Sequence, residues 1–235
     1  MVLSNAQKLK TPIVFLHGWG GNIDSFLYFA KRLSIDRTCI LVDFPPFGLS
    51  SSPTEAFSLR DYTNIVLKLL KKLKINRVCI VAHSFGGRVA IDLASNFPSF
   101  VEKLVLTGSA GLKKKSFSNR IKIFKYKFLK YFFKNNVKVQ QKLKSMGSKD
   151  YLALSNDMKK TFINITNFDQ KKQLKKILCP VLLVWGKNDK ETPFYFTKIF
   201  KKNIKYCKVI SLDDCSHFAY LEEPSIFLLS IQTFL

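Results

Sequence analysis

Val78-Cys-Ile-Val-Ala-His-Ser-Phe-Gly-Gly87 is the stretch on which the fold turns. Its first four residues are apolar and β-prone, the pattern of a buried strand. Two glycines stand just after the serine, and a helical pattern begins at once. A serine on so sharp a strand-to-helix turn has a strained backbone and a hydroxyl lifted clear of the sheet. Small residues two positions to either side, here Ala82 and Gly86, keep such a turn free of clashes. Glycine is the commoner residue at the first of these positions, so the methyl group of Ala82 predicts a slightly tighter fit. A serine in an ordinary glycine-rich turn would lack this strand–turn–helix setting.

Outward from the turn, short apolar runs alternate with amphipathic stretches. This predicts an α/β protein with a mostly parallel sheet of about six strands and helices on both faces. Strands are expected at 13–16, 39–42, 77–81, 101–107, 181–185 and 205–210, and helices near 25–33, 59–73, 86–96, 193–200 and 224–234. Leu59, Tyr62, Val66, Leu69 and Leu73 fall at helical spacing and are expected to form one buried face. Asn96-Phe-Pro98 ends a helix, because proline disfavours helix in the residue before it.

The alternation stops between 112 and 178, where only helical spacing is found, at Ile121, Phe124, Phe128, Tyr131 and Phe132 and again from Leu152 to Phe162. Residues 112–178 are therefore expected to form a helical lid, inserted into a core made of 1–111 and 179–235. Lys113-Lys-Lys115 marks its entrance and Cys179-Pro180 its exit. Most of the lid aromatics, Phe117, Phe124, Phe128, Tyr131, Phe132 and Phe133, are expected to pack on the core, and the rest to line an apolar pocket facing Ser84.

A chain of 235 residues can build one core and an insertion, but not two full domains. No run reaches the roughly 18 apolar residues of a membrane span, and 1–10 lacks the apolar centre of a signal peptide. Five cysteines, an odd number without a CxxC pair, predict reduced thiols and a cytoplasmic location rather than a disulfide framework or a zinc site. The formal charge of +23 is uneven, since 112–178 holds nineteen Lys or Arg against Asp150, Asp157 and Asp169. Lysine-rich coding bias explains that excess as well as a surface that draws anionic partners does. There is no phosphate loop, no G-x-G-x-x-G and no metal-ligand spacing. No cofactor, metal or nucleic-acid partner is expected.

A nucleophilic serine needs a base, and the chain has three histidines. His17 follows the first strand, and His83 adjoins the serine and must leave the turn in another direction. His217, between the last strand and the last helix, is the one placed to reach Ser84 from the carboxyl end of the sheet. Asp189, in Trp185-Gly-Lys-Asn-Asp189, follows the preceding strand and is the expected acid. Its rivals Asp213 and Asp214 lie too close to His217 in sequence to reach its far nitrogen easily. The chain order serine, aspartate, histidine also distinguishes this arrangement from other serine-enzyme folds.

With Leu16-His-Gly-Trp-Gly20, Asp43-Phe-Pro-Pro-Phe-Gly-Leu-Ser50 and Ser216-His217 in the same order, the sequence resembles the α/β-hydrolase superfamily over nearly its whole length. The resemblance implies an oxyanion hole made by the backbone N–H groups of Trp19 and Phe85. It departs from the family at Pro46, where glycine is usual, and in an N-terminus short for the usual first hairpin. The Trp19 loop and the short lid resemble small carboxylesterases, including pimeloyl-carrier-protein methyl ester esterases. That likeness implies cleavage of an ester or thioester of a small or medium acyl group, with an acidic carrier protein or anionic surface as a partner at the basic lid. A proline iminopeptidase and a non-turnover ligand receptor are the alternatives. A dehalogenase or epoxide hydrolase would carry aspartate at position 84.

Overall fold

The computed structural model describes residues 1–4, 10–113 and 154–235. Lys114, Lys115, the lid aromatics from Phe117 to Phe133 and the helical pattern from Ile121 lie outside these residues. In chain order the described elements are β1 (Val2–Leu3), β2 (Lys10–Leu16), α1 (Asp24–Leu33), β3 (Arg37–Val42), α2 (Leu59–Lys72), β4 (Val78–His83), α3 (Phe85–Asn96) and β5 (Val101–Thr107). They continue with α4 (Asn156–Asn167), α5 (Lys171–Leu174), β6 (Val181–Gly186), α6 (Tyr195–Asn203), β7 (Cys207–Leu212), α7 (Ala219–Glu222) and α8 (Pro224–Phe234).

The strands form one sheet in the order β1-β3-β2-β4-β5-β6-β7. From β2 to β7 all neighbours are parallel. The sheet has seven strands rather than about six. The additional one is β1, two residues long, which pairs antiparallel with β3 through Val2 and Leu3. A two-residue strand has no alternation to read.

Side chains alternate between the two faces of each strand. Val14, Leu16, Ile80 and Leu106 face the layer of α2, α3 and α6, where Val66, Val89 and Phe200 are buried. Ile13, Phe15, Val81 and Val184 face α1 and α8, packing with Phe26, Phe29, Phe227 and Ile231. β4 is buried along its whole length, which accounts for its unbroken apolar run. Helix α2 is held at its start by a capping box between Ser58 and Asp61. Its buried face is rotated from the expected one: Leu59, Tyr62 and Val66 are buried as expected, but Leu67 and Leu70 continue the face, while Leu73 lies beyond the helix and is exposed.

Two consequences position the site. The chain passes from β2 to β3 on one side and returns across β2 to β4 on the other, so the loops after β2 and β4 diverge and open a crevice. Parallel pairing also brings the carboxyl ends of β2, β4, β6 and β7 to one edge. Between β5 and β6 stand α4 and α5. Helix α4 meets the core where Thr161 Oγ1 accepts from the Phe57 amide at 2.8 Å. All five cysteines are free thiols. No helix among the described residues is long and apolar enough to cross a membrane.

Candidate active site

Ser84 occupies the turn between β4 and α3 with φ 48° and ψ −110°. That left-handed conformation costs roughly 1–3 kcal/mol for a residue with a side chain. The close approach of β2 enforces it, for a Cβ at Gly86 would stand 2.2 Å from the Leu16 carbonyl oxygen. Only glycine fits at 86, whereas Ala82 is accommodated inside β4, fully buried between Leu16 and Leu106.

Ser84, His217 and Asp189 come together in one hydrogen-bonded row. His217 Nε2 is 3.1 Å from Ser84 Oγ, and His217 Nδ1 is 2.9 Å from Asp189 Oδ2. A carboxylate can only accept, so Nδ1 carries the proton and Nε2 is free to accept from the serine hydroxyl. Asp189 is buried and saturated with donors. Its Oδ1 accepts from the Glu191 and Thr192 amides, each at 2.8 Å, and Thr192 Oγ1 donates to Oδ2 at 2.7 Å. Burial pushes the Asp189 carboxyl up, but the hydrogen bonds from His217 and Thr192 together outweigh it and hold the group below its ordinary value. The loop is anchored by the buried Trp185, whose Nε1 donates to the Thr192 carbonyl at 2.8 Å. The acid and histidine loops are also joined, through the Asn188 amide on the Cys215 carbonyl at 3.0 Å. Asp213, by contrast, pairs with Lys187 in solvent, and Asp214 is exposed.

Thr192 is a residue that sequence reading missed, although its place three residues after Asp189 is a local signal for such a hydroxyl contact. Because the folded Asp189 titrates below the unfolded carboxyl, its ionisation stabilises the protein above about pH 4. That contribution is lost as pH falls through the lower folded value. Thr192→Val removes a donor and narrows the gap. It is expected to melt lower at pH 7, by roughly 1.5–3 kcal/mol in stability, and to lose less further stability between about pH 4 and pH 2 in thermal melts.

The other two histidines are buried and hold loops. His17 Nδ1 donates to the Gly18 carbonyl at 2.7 Å, and its Nε2 accepts from the Phe44 amide at 3.0 Å. Burial lowers its pKa. His83 Nε2 donates to the backbone carbonyl of His217 at 3.1 Å, and burial first of all brings its pKa down to about 3. His83 is thus neutral throughout the working range. It touches the loop after β2 as well, since a Cβ at Gly18 would stand 2.8 Å from its Nδ1. His83→Ala is expected to lower kcat by roughly 10- to 100-fold with little change in KM, through misplacement of His217. His83→Gln, which keeps a donor on a chain of similar reach, is expected to recover most of that loss while both variants keep a native circular dichroism spectrum.

Trp19 and Phe85, from the loop after β2 and the turn after β4, meet with their rings edge-on at 5.4 Å. Phe85 is the first residue of α3, where amides have no partner within the helix and the helix dipole is positive. Gly18 brings the Trp19 loop against the serine, and a Cβ there would be 3.4 Å from Ser84 Cβ. Among the described residues neither the Trp19 nor the Phe85 amide donates to a protein acceptor. Asp43 fixes the surroundings of this loop, accepting from the Ile23 amide at 2.8 Å and the Leu49 amide at 3.0 Å. The Trp19 ring also meets Phe47 at 5.0 Å and, from α4, Phe162 at 5.3 Å, giving the crevice an aromatic wall. No group of His, Cys, Asp and Glu able to hold a metal ion occurs among the described residues.

A family model described as "alpha/beta hydrolase fold" matches residues 11–173. Among curated proteins, the uncharacterized hydrolase YugF of Bacillus subtilis is 26% identical over 96% of this chain and 90% of its own length. A proline iminopeptidase of Heyndrickxia coagulans is likewise 26% identical over 96% of this chain and 90% of its own. Among solved structures, the esterase EaEST from Exiguobacterium antarcticum superposes with a TM-score of 0.76 at 20% identity, covering 100% of this chain and 93% of its own. At that identity the likeness is one of fold.

Proposed function

The chain belongs to the α/β-hydrolase fold family, and from that premise we propose that it is a serine hydrolase cleaving carboxylic esters or thioesters of a small or medium acyl group. The observation that carries the reading is the hydrogen-bonded row Ser84–His217–Asp189. In the proposed reaction Ser84 Oγ attacks the carbonyl carbon while its proton passes to His217 Nε2. Asp189 holds the imidazole and stabilises the imidazolium that forms. The amides of Trp19 and Phe85 receive the charge on the carbonyl oxygen, each contributing roughly 3–4 kcal/mol to the barrier reduction. Collapse breaks the ester bond, His217 returns the proton to the leaving alcohol or thiol, and water hydrolyses the acyl-Ser84 by the same steps in reverse.

Residues 112–178 serve in this proposal as a lid. Thr161 and Phe162 of α4 support it, since they contact the core at Phe57 and Trp19, beside the crevice. The wall of Trp19, Phe47 and Phe162 suits an apolar acyl chain. An aminopeptidase would need a carboxylate to hold the substrate's cationic amine. Of the lid acids among the described residues, Asp157 pairs with Lys160 in solvent and Asp169 is exposed, which favours the ester reading over that of the proline iminopeptidase relative.

The discriminating assay is a series of p-nitrophenyl esters from acetate to laurate, run beside prolyl and other aminoacyl anilides. Steady turnover of the shorter esters, with anilides at background, is the expected outcome. Turnover of the anilides alone would replace the esterase reading with a peptidase. A burst of one equivalent followed by no steady rate would point to a receptor.

A further inference from the structure

Between α5 and α6, a groove of about 570 Å³ is lined by Lys171, Lys172, Lys175, Lys198, Ile199, Lys202 and Asn203. Five of its seven residues are lysines, and residues 170–178 and 195–208 contain nine lysines and no acid. Among the described residues no carboxylate forms an ion pair with any of the five. Like charges gathered in this way repel one another and are relieved by an external anion.

The place of the groove in the fold separates it from the crevice. Helix α6 runs back from the carboxyl edge, so its last turn, with Lys202, reaches the amino edge of the sheet, and Lys198 lies one turn before it. Ser84, Asp189 and His217 stand at the opposite edge, roughly 20 Å away for strands of this length. From Lys175 the chain runs to Leu178, and from Lys202 to Tyr206. The two segments meet where the Val181 amide donates to the Tyr206 carbonyl at 2.8 Å. Leu178 is 67% exposed and Tyr206 53%, and Lys205 Nζ lies 4.9 Å from the centre of the Tyr206 ring. Lysines around an exposed leucine and an amphipathic tyrosine match the boundary of an anionic bilayer. There ammonium groups meet headgroup phosphates and the apolar side chains enter the acyl margin. A nucleic acid or a soluble anion would leave Leu178 with nothing to bind.

We propose that this α5–α6 face docks the protein on membranes rich in anionic phospholipid, as a tether separate from the crevice. Co-sedimentation with vesicles tests it. The full chain is expected to pellet with phosphatidylcholine/phosphatidylglycerol vesicles at low salt, to be released by high salt, and to ignore pure phosphatidylcholine. Each lysine removed is expected to weaken partitioning roughly fivefold, so Lys175→Gln/Lys198→Gln/Lys202→Gln should bind about a hundredfold more weakly. A control that removes the same charge from α1 and α2, Lys31→Gln/Lys68→Gln/Lys71→Gln, should lose at most a tenth of that. Both triple variants should hydrolyse p-nitrophenyl butyrate like the parent, so docking and catalysis are read independently. Failure to pellet, or equal binding by the two triple variants, would overturn the proposal. Leu178→Ser/Tyr206→Ser should also weaken vesicle binding at least tenfold. Binding unchanged by that pair would overturn the membrane docking in favour of a site for soluble polyanions.

Discussion

Ser84→Ala should reduce ester hydrolysis by roughly 10⁴- to 10⁶-fold, leaving only what the oxyanion donors and binding achieve without a nucleophile. The size of the effect follows from the row's geometry. Ser84 Oγ lies 3.1 Å from His217 Nε2, and in the proposed reaction that nitrogen takes the proton of the hydroxyl. Without the oxygen, no acyl-enzyme can form. His217→Ala should cost about as much as Ser84→Ala, and the double variant scarcely more, because groups that act as one unit are grossly non-additive. The measurement is kcat/KM on p-nitrophenyl butyrate, with the thermal midpoint as a check on folding. Ser84→Ala should melt no lower than the parent, since alanine removes a polar group from a strained turn.

The second large effect is at Asp189. Asp189→Asn is nearly isosteric, but an amide can donate where a carboxylate only accepts, and it lets the imidazole take the tautomer with the proton on Nε2. That tautomer cannot receive the proton from Ser84, and the expected loss is roughly 10⁴-fold in kcat. The Glu191 and Thr192 amides on Oδ1 fix that oxygen as the acceptor. This forces the asparagine nitrogen toward His217 and Thr192. Asp213→Asn and Asp214→Asn should change activity less than twofold, as both side chains are exposed and Asp213 is occupied by Lys187. A nearly full rate for Asp189→Asn, with Asp213→Asn or Asp214→Asn inactive, would assign the acid elsewhere.

The contrast between these residues shows what could be read in the sequence. Five strands follow directly from apolar runs buried over most of their length, because burial on both faces leaves nothing to alternate, whereas the edge strand β7 is mostly half-buried or exposed; the observed bounds of all six lie within about three residues of the expected ones. β1 escaped, being too short for any periodicity and defined only by the strand it meets. The turn of the α2 face from Leu73 to Leu67 and Leu70 was equally hidden, since several leucines offer more than one stripe and tertiary packing selects among them. At the site, Ser84, His217 and Asp189 were picked out by chain order and strand ends. Their neighbours His83 and Thr192 were not assigned roles. His83 is bound to the His217 carbonyl 134 positions away, a contact that no local pattern encodes.

A few contacts between loops are enough for the site to form. Gly86 lets β4 and β2 close on the turn, and the Asn188–Cys215 backbone bond ties the acid loop to the histidine loop. His83 then bridges the histidine loop to the loop carrying Trp19. Each contact fixes one segment at the carboxyl edge, and together they bring Ser84, His217 and the Trp19 loop to one crevice.

The most direct test of the nucleophile is mass spectrometry of the protein after reaction with a fluorophosphonate. Trypsin releases 78–88 after Arg77 and Arg88, a peptide whose one serine is Ser84. The expected result is a single stoichiometric adduct on that peptide, absent from Ser84→Ala. An adduct on any other serine, or undiminished labelling of Ser84→Ala, would contradict the assignment of Ser84 as the nucleophile.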